Sequence, residues 1–233
     1  MVAIKKESFV NLLKMQCLLA AAVLISVVLG GCASTQPIPE LSDPKSSGLA
    51  IDVSLKTPLG MFGIMFEPEQ IYFAKIDGEG GLLQQKIIRS NYIKDGRAYL
   101  LNVRPGIYVA VAEFHQLTPR HQETEAPLRY TTYFSKELVE QTRVTVREGD
   151  FVFIGSYVVN VSGGFNGADE VQTHYKNVIA PNANTSGFGY FIGGDYQYCG
   201  TLLERKIDEQ THNEFVRKAK EDLAGSGWQT RIR

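Results

Sequence analysis

The sequence predicts a mainly β protein: a single β-sandwich carrying one amphipathic helix near its C-terminus. Short runs rich in Val, Ile, Tyr, Phe and Thr recur about every ten residues from "GLAIDVSL" to "DFVFIGSYVVNV", the pattern of sandwiches and barrels. Between them stand Gly, Asp, Asn and Pro, which reverse the chain. A four-residue repeat appears only late: Ile207, Thr211, Phe215, Ala219 and Leu223 fall on one helical face, with Lys, Arg, Asp and Glu elsewhere.

The N-terminus precedes this pattern. Lys5, Lys6, Glu7 and Lys14 form a net-positive segment, and no charge follows from Met15 to Thr35. The strongly apolar part, Cys17 to Leu29, is 13 residues long. A helix crossing a bilayer needs roughly 20, so residues 1–31 read as a cleaved secretory signal and not as a span. Leu29-Gly30-Gly31-Cys32 resembles the lipobox of bacterial lipoproteins. The resemblance implies that the Cys32 sulfur is alkylated by a diacylglyceryl group, that cleavage follows Gly31, and that Cys32 becomes the acylated N-terminus. Two or three chains hold a protein on a membrane without spanning it. Ala33 and Ser34 follow in place of the aspartate that retains such proteins at the inner membrane, which by resemblance implies the outer membrane, facing the periplasm.

Removal of the signal leaves about 200 residues, enough for one sizeable domain. With Lys5, Lys6, Lys14 and Glu7 gone, 24 Lys+Arg against 25 Asp+Glu become 21 against 24. No basic field is left to hold nucleic acid. Cys17 leaves with the signal and Cys32 takes lipid, so Cys199 is the remaining thiol and reads as a small buried apolar residue beside Tyr196 and Tyr198. Residues 32–48 contain three prolines and four serines and read as a lipidated N-terminus with a flexible tether. The "SDPK" within them matches a Ser-x-x-Lys pattern by chance.

Residues 49–200 are expected to form the sandwich. "DGEGG" at 77–81, "DGR" at 95–97 and "EGD" at 148–150 offer residues that accept positive φ. In "RAYLLNVRPGIYVAVAEF", Pro105 presets φ and Gly106 accepts a positive one, so Arg104 to Ile107 predicts a type II turn and a hairpin. This Leu-x-x-x-Pro-Gly-x-Tyr arrangement resembles the strand-turn-strand of prealbumin-like and carboxypeptidase-regulatory-like sandwiches, over about residues 70–160. The resemblance implies a fold and transfers no active-site residue. Residues 162–195, rich in Gly and Asn, read as long loops around one or two short strands. Residues 201–233 are expected to form a C-terminal helix and tail packed on the sandwich. The helix is expected at about 211–224, with a Thr211–Glu214 capping box, a second box at Thr201–Glu204, and Gly225 as its stop. Trp228 reads as a packing anchor.

Candidate chemistry is sparse. His115, His121, His174 and His212 match no zinc-ligand spacing, so no metal or cofactor is expected. "NGADE" at 166–170 lacks the alternating oxygens of a calcium loop, and no nucleophile elbow, HExxH or phosphate loop occurs. "NVS" and "NTS" match glycosylation sequons that the lipobox makes irrelevant. "TPLGMFGIMFEPEQ" at 57–70, with Met61, Phe62, Ile64, Met65 and Phe66, reads either as a core strand or as an exposed apolar loop for a membrane or protein partner. The function expected is a non-catalytic binding or scaffolding module in the cell envelope, held by lipid on Cys32, with an envelope protein or cell-wall partner. The alternative is a hydrolase or lipid carrier with a site in loops 162–195, where Asp169, Glu170, His174 and Tyr175 are the densest polar cluster.

Overall fold

The computed structural model describes residues 36–57, 65–76, 81–117, 127–162, 165, 167–181 and 195–233. Its strands are β1 (Ser47–Lys56), β2 (Met65–Phe66), β3 (Gln70–Ile76), β4 (Ile87–Arg89), β5 (Tyr92–Lys94), β6 (Arg97–Val103), β7 (Gly106–Leu117), β8 (Leu128–Phe134), β9 (Val144–Val146), β10 (Phe151–Ser162) and β11 (Asp195–Lys206). The helices are α1 (Lys136–Gln141), α2 (Glu170–Ile179) and α3 (Glu209–Asp222), followed by a 3-10 turn, Gly227–Arg231.

The protein is mainly β, as expected, but the strands form one continuous mixed sheet, not two stacked ones. Its order is β4-β3-β7-β8-β11-β10-β1-β6-β5, with β2 added to β1 and β9 to β7. The pairs β1/β10 and β8/β11 run parallel; the others are antiparallel. The sheet curls until both ends meet the same short stretch of chain. Ser90 N donates to Ile71 O and Ile71 N donates to Ser90 Oγ, on β3. One residue later Asn91 N donates to Tyr99 O, and its side-chain amide pairs with both the N–H and C=O of Leu101, on β6. Segment 87–94 thus serves β3 and β6 together, carrying the two terminal strands β4 and β5 of the sheet.

Alternation sets the two faces. Leu49, Ile51, Val53 and Leu55 of β1 point inward and are fully buried, beside Tyr157, Val159 and Val161 of β10. Ala50, Tyr99 and Leu101 point outward and are buried as well, because α3 covers them with Phe215, Ala219 and Leu223. Burying Phe215 and Leu223 contributes about 1.5–3 kcal/mol each. Phe153 of β10 stacks on Phe215 at 3.8 Å between ring centroids. The helix is integral to the fold.

Several expectations are corrected. Arg104 to Ile107 does not make a hairpin: β6 pairs with β1 and β5, whereas β7 pairs with β3, β8 and β9. The segment is a corner between distant parts of the sheet, fastened by Tyr108 OH donating to Arg104 O at 2.6 Å. The turn at "DGR" does join β5 to β6, with Asp95 and Gly96 both at positive φ. Among the described residues there are three helices, not one. α2 lies inside the stretch read as loops, and α1 follows β8 with Ser135 as its cap. Thr201–Glu204 sits within β11, and α3 starts ahead of the expected box: Asp208 is the cap, accepting from Thr211 N at 2.9 Å and from Thr211 Oγ1 at 3.0 Å. A carboxylate competes for the free N–H groups of a first turn at least as well as a hydroxyl, and the helix dipole favours its charge.

The segment read as tether is seated on the domain from Pro37 onward. Trp228 Nε1 donates to Pro39 O at 3.0 Å, Asn102 Nδ2 donates to Glu40 O at 2.8 Å, and Ser42 N donates to Asn102 Oδ1 at 3.0 Å. Ile38 and Leu41 pack on the cluster around Trp228. Arg231 donates to Gly149 O at 3.1 Å and to Pro44 O. Proline and serine prevented these residues from forming regular structure; they did not prevent docking.

Candidate functional site

The polar cluster of the alternative reading is built into the scaffold. Asp169 caps α2, its Oδ1 accepting from Val171 N and Gln172 N, while Gln172 Oε1 accepts from Asp169 N. Asp169 Oδ2 also accepts from Lys136 N at 2.7 Å. Glu170 pairs with Lys136 at 2.8 Å in solvent. His174 Nε2 lies 3.3 Å from Gln84 O, and the buried Tyr175 hydroxyl donates to Leu82 O. These groups fasten α2 to α1 and to the 81–85 segment, so they do not converge on a free point. Among the described residues no group of three His, Cys, Asp or Glu side chains is placed to hold a metal ion.

Cys199 is buried, as expected, and burial pushes its thiol up to about 11. Trp228 is fully buried, also as expected. In the 57–70 stretch, Met65 and Phe66 pair with Lys56 and Leu55 of β1; Met65 is half exposed and Phe66 packs on the core. Residues 58–64, His121, Cys17 and Cys32 lie outside the described residues.

An unanticipated polar and aromatic group lies inside the curled sheet, where β8 and β11 begin. Glu113 and His115 share the inward face of β7; a bulge between Ala110 and Ala112 places them on the side of Ile71 and Phe73 of β3. Opposite them on β8 stand Thr132 and Tyr130, and beyond these on β11 stand Tyr198 and Tyr196. Neighbouring positions are about 5 Å apart, so their rings stack. Phe66, His115, Tyr130 and Tyr196 form a row at centroid separations of 5.5, 4.9 and 5.1 Å. Beneath the row, Glu113 is fully buried, with Oε2 3.0 Å from His115 Nδ1. Its Oε1 has no hydrogen-bond partner, and neither does Oγ1 of Thr132, directly across the strand pair and also fully buried. Gly200 makes room here: a Cβ on it would lie 2.8 Å from both Thr132 Cγ2 and Val159 Cγ1.

An unpaired buried polar atom costs about 1–3 kcal/mol. The two atoms belong to residues at facing positions of β7 and β8, one a carboxylate acceptor and one a hydroxyl, next to the stacked rings. The carboxylate oxygen can accept from an N–H or O–H group, and the hydroxyl can donate or accept. Part of the signal was legible: "VAVAEFHQ" sets Glu113 and His115 two residues apart in an otherwise apolar strand, although the bulge at Val111 breaks the period that would have told their face.

A second polar region lies outside, an open cleft of about 570 Å³ lined by Asp52, Lys94, Asp95, Arg97 and the exposed turns of α3. Its charges are largely matched: Arg217 pairs with Glu221 at 2.8 Å and Arg97 with Asp222. Asp52, held above the ordinary carboxylate value by burial, accepts from Ser156 Oγ at 3.3 Å.

Compared with protein-family models, with curated proteins and with solved structures, the chain has no match in any of the three.

Proposed function

We propose that the mature protein is a lipid-anchored envelope protein, held through Cys32, that binds a partner at the ring-lined end of the sheet and performs no chemistry on it. The anchor rests on the charged segment, the short apolar run and Leu-Gly-Gly-Cys, and the outer membrane, facing the periplasm, on Ala33 and Ser34. The binding role rests on one observation: Glu113 Oε1 and Thr132 Oγ1, on facing residues of β7 and β8, are buried and have no hydrogen-bond partner among the described residues. Such unmet hydrogen-bonding capacity opposes folding, and a bound donor group would satisfy it. The test is chemical crosslinking in intact cells followed by identification of what is captured, with the native chain, Cys32→Ser and Glu113→Gln compared. One envelope component captured by the native chain and reduced in both variants supports the reading. Equal capture by all three, or no capture together with turnover of a cell-wall or lipid substrate by the purified chain, overturns it.

A further inference from the structure

We propose that the domain stands on the bilayer in one orientation, with the end carrying residues 37–46 against the phospholipid headgroups and the end carrying Glu113, His115 and Tyr130 pointing away; this rests on lipidation of Cys32. The argument is one of reach. Pro39 and Glu40 are fixed by Trp228 and Asn102, and Leu41 packs against Gly227. Four residues lie between Cys32 and Pro37, and five residue steps at 3.3–3.6 Å each span at most about 18 Å. A free tether reaching to Ser47 would leave either end able to approach the membrane; a link that ends at Pro37 keeps the 37–46 end within its reach.

The fixed points all lie at one end. Trp228 packs on Phe151, the first residue of β10, and lies against Gly48 near the start of β1, while Asn102 is next to last in β6. Strand β1 then runs ten residues to Lys56, about 30 Å at the usual rise per residue. At its far end β10 finishes and β8 and β11 begin, with the ring row between. The occupant of the first end is therefore the headgroup layer to which Cys32 is joined, and the second end is left for a partner in the aqueous space.

The experiment uses the full lipidated chain in phosphatidylethanolamine and phosphatidylglycerol vesicles that contain nitroxide-headgroup lipid. A fluorophore is placed by thiol coupling at Lys45→Cys or at Arg129→Cys, both well exposed and at opposite ends. Cys199 stays native, because it is buried. Quenching of the Lys45 label should exceed that of the Arg129 label by roughly threefold, given a separation of about one strand length. Inserting about 20 Gly and Ser residues between Gln36 and Pro37 adds roughly 25 Å of reach and should erase most of the difference. Equal quenching in the uninserted protein, or stronger quenching at Arg129, overturns the orientation. Mass spectrometry of the same sample reads lipidation separately: a chain without acyl groups refutes the anchor itself, whereas an acylated chain with equal quenching refutes only the orientation.

Discussion

Asp222, the last residue of α3, grips Arg97 of β6 at two points: Arg97 Nε lies 2.7 Å from Oδ2 and Nη2 lies 3.0 Å from Oδ1. Both side chains are less than a tenth exposed. Tyr99 OH donates to the same carboxylate at 2.5 Å, and Tyr92 OH to the Asp222 carbonyl at 3.0 Å. Burial opposes the guanidinium charge, but the bonds to Asp222 outweigh it and hold Arg97 above its ordinary value. Burial first, and then Asp222, push the Tyr99 phenol well up.

Removing one partner of this group strands the other charge. Asp222→Ala is expected to lower stability by about 3–5 kcal/mol, whereas the double change Arg97→Met with Asp222→Leu should cost much less. Urea denaturation of both measures this. A single variant within about 1 kcal/mol of the native protein would show that the pair is not what seats the helix.

Trp228 fills the junction between the 37–46 segment and the starts of β1 and β10. Trp228→Ala should cost about 3–5 kcal/mol. It should also free Pro39 and so admit protease to residues 37–46 before the rest of the domain. Cleavage that begins elsewhere, with this segment still protected, would refute the docking role.

Asp52 carries a pH dependence. Burial raises its carboxyl above the ordinary 3.8, against smaller opposing effects of Arg97 and Ser156. Because the folded value exceeds the unfolded one, the favourable contribution is present below 3.8 and is lost as pH rises through the folded value. Asp52→Asn is uncharged throughout, so its stability relative to the native chain should improve between pH 4 and pH 7. Denaturant midpoints at the two pH values give the sign; a relative stability that worsens over that interval contradicts the assignment.

Asp169 separates scaffold from site. Asp169→Ala removes the cap of α2 and should cost about 0.5–2 kcal/mol, with lost helical signal. Asp169→Asn retains an acceptor and should restore much of it. If both variants keep native stability while partner capture is lost, the carboxylate is a contact and not a cap.

Much of the fold was legible, because β1, β7 and β10 carry their alternation openly and the α3 repeat survives as Phe215, Ala219 and Leu223. What periodicity cannot supply is pairing. Strand β1 alternates in the same way whether its neighbour is β10 in parallel or another strand in antiparallel fashion, so sandwich and curled sheet look alike along the chain. Helix α2 escaped because glycine and asparagine flank it, although Val171 and Tyr175 at a four-residue spacing and the Asp169–Gln172 box were there to read. The Glu113 and Thr132 pair was harder. It arises only when β7 meets β8, and neither strand announces the other.

The bond from Ser156 to Asp52 ties residues 104 positions apart, on two strands that run parallel. A chain that emerges N-terminus first therefore presents β1 long before its parallel partner β10 exists. Contacts of such separation require large loops to close before they stabilise anything, which makes folding slow. During that interval Leu49, Ile51, Val53 and Leu55 are an exposed sticky strand, open to wrong pairing with another chain. The parallel pairing thus also sets a vulnerable interval, the time between the arrival of β1 and the arrival of β10.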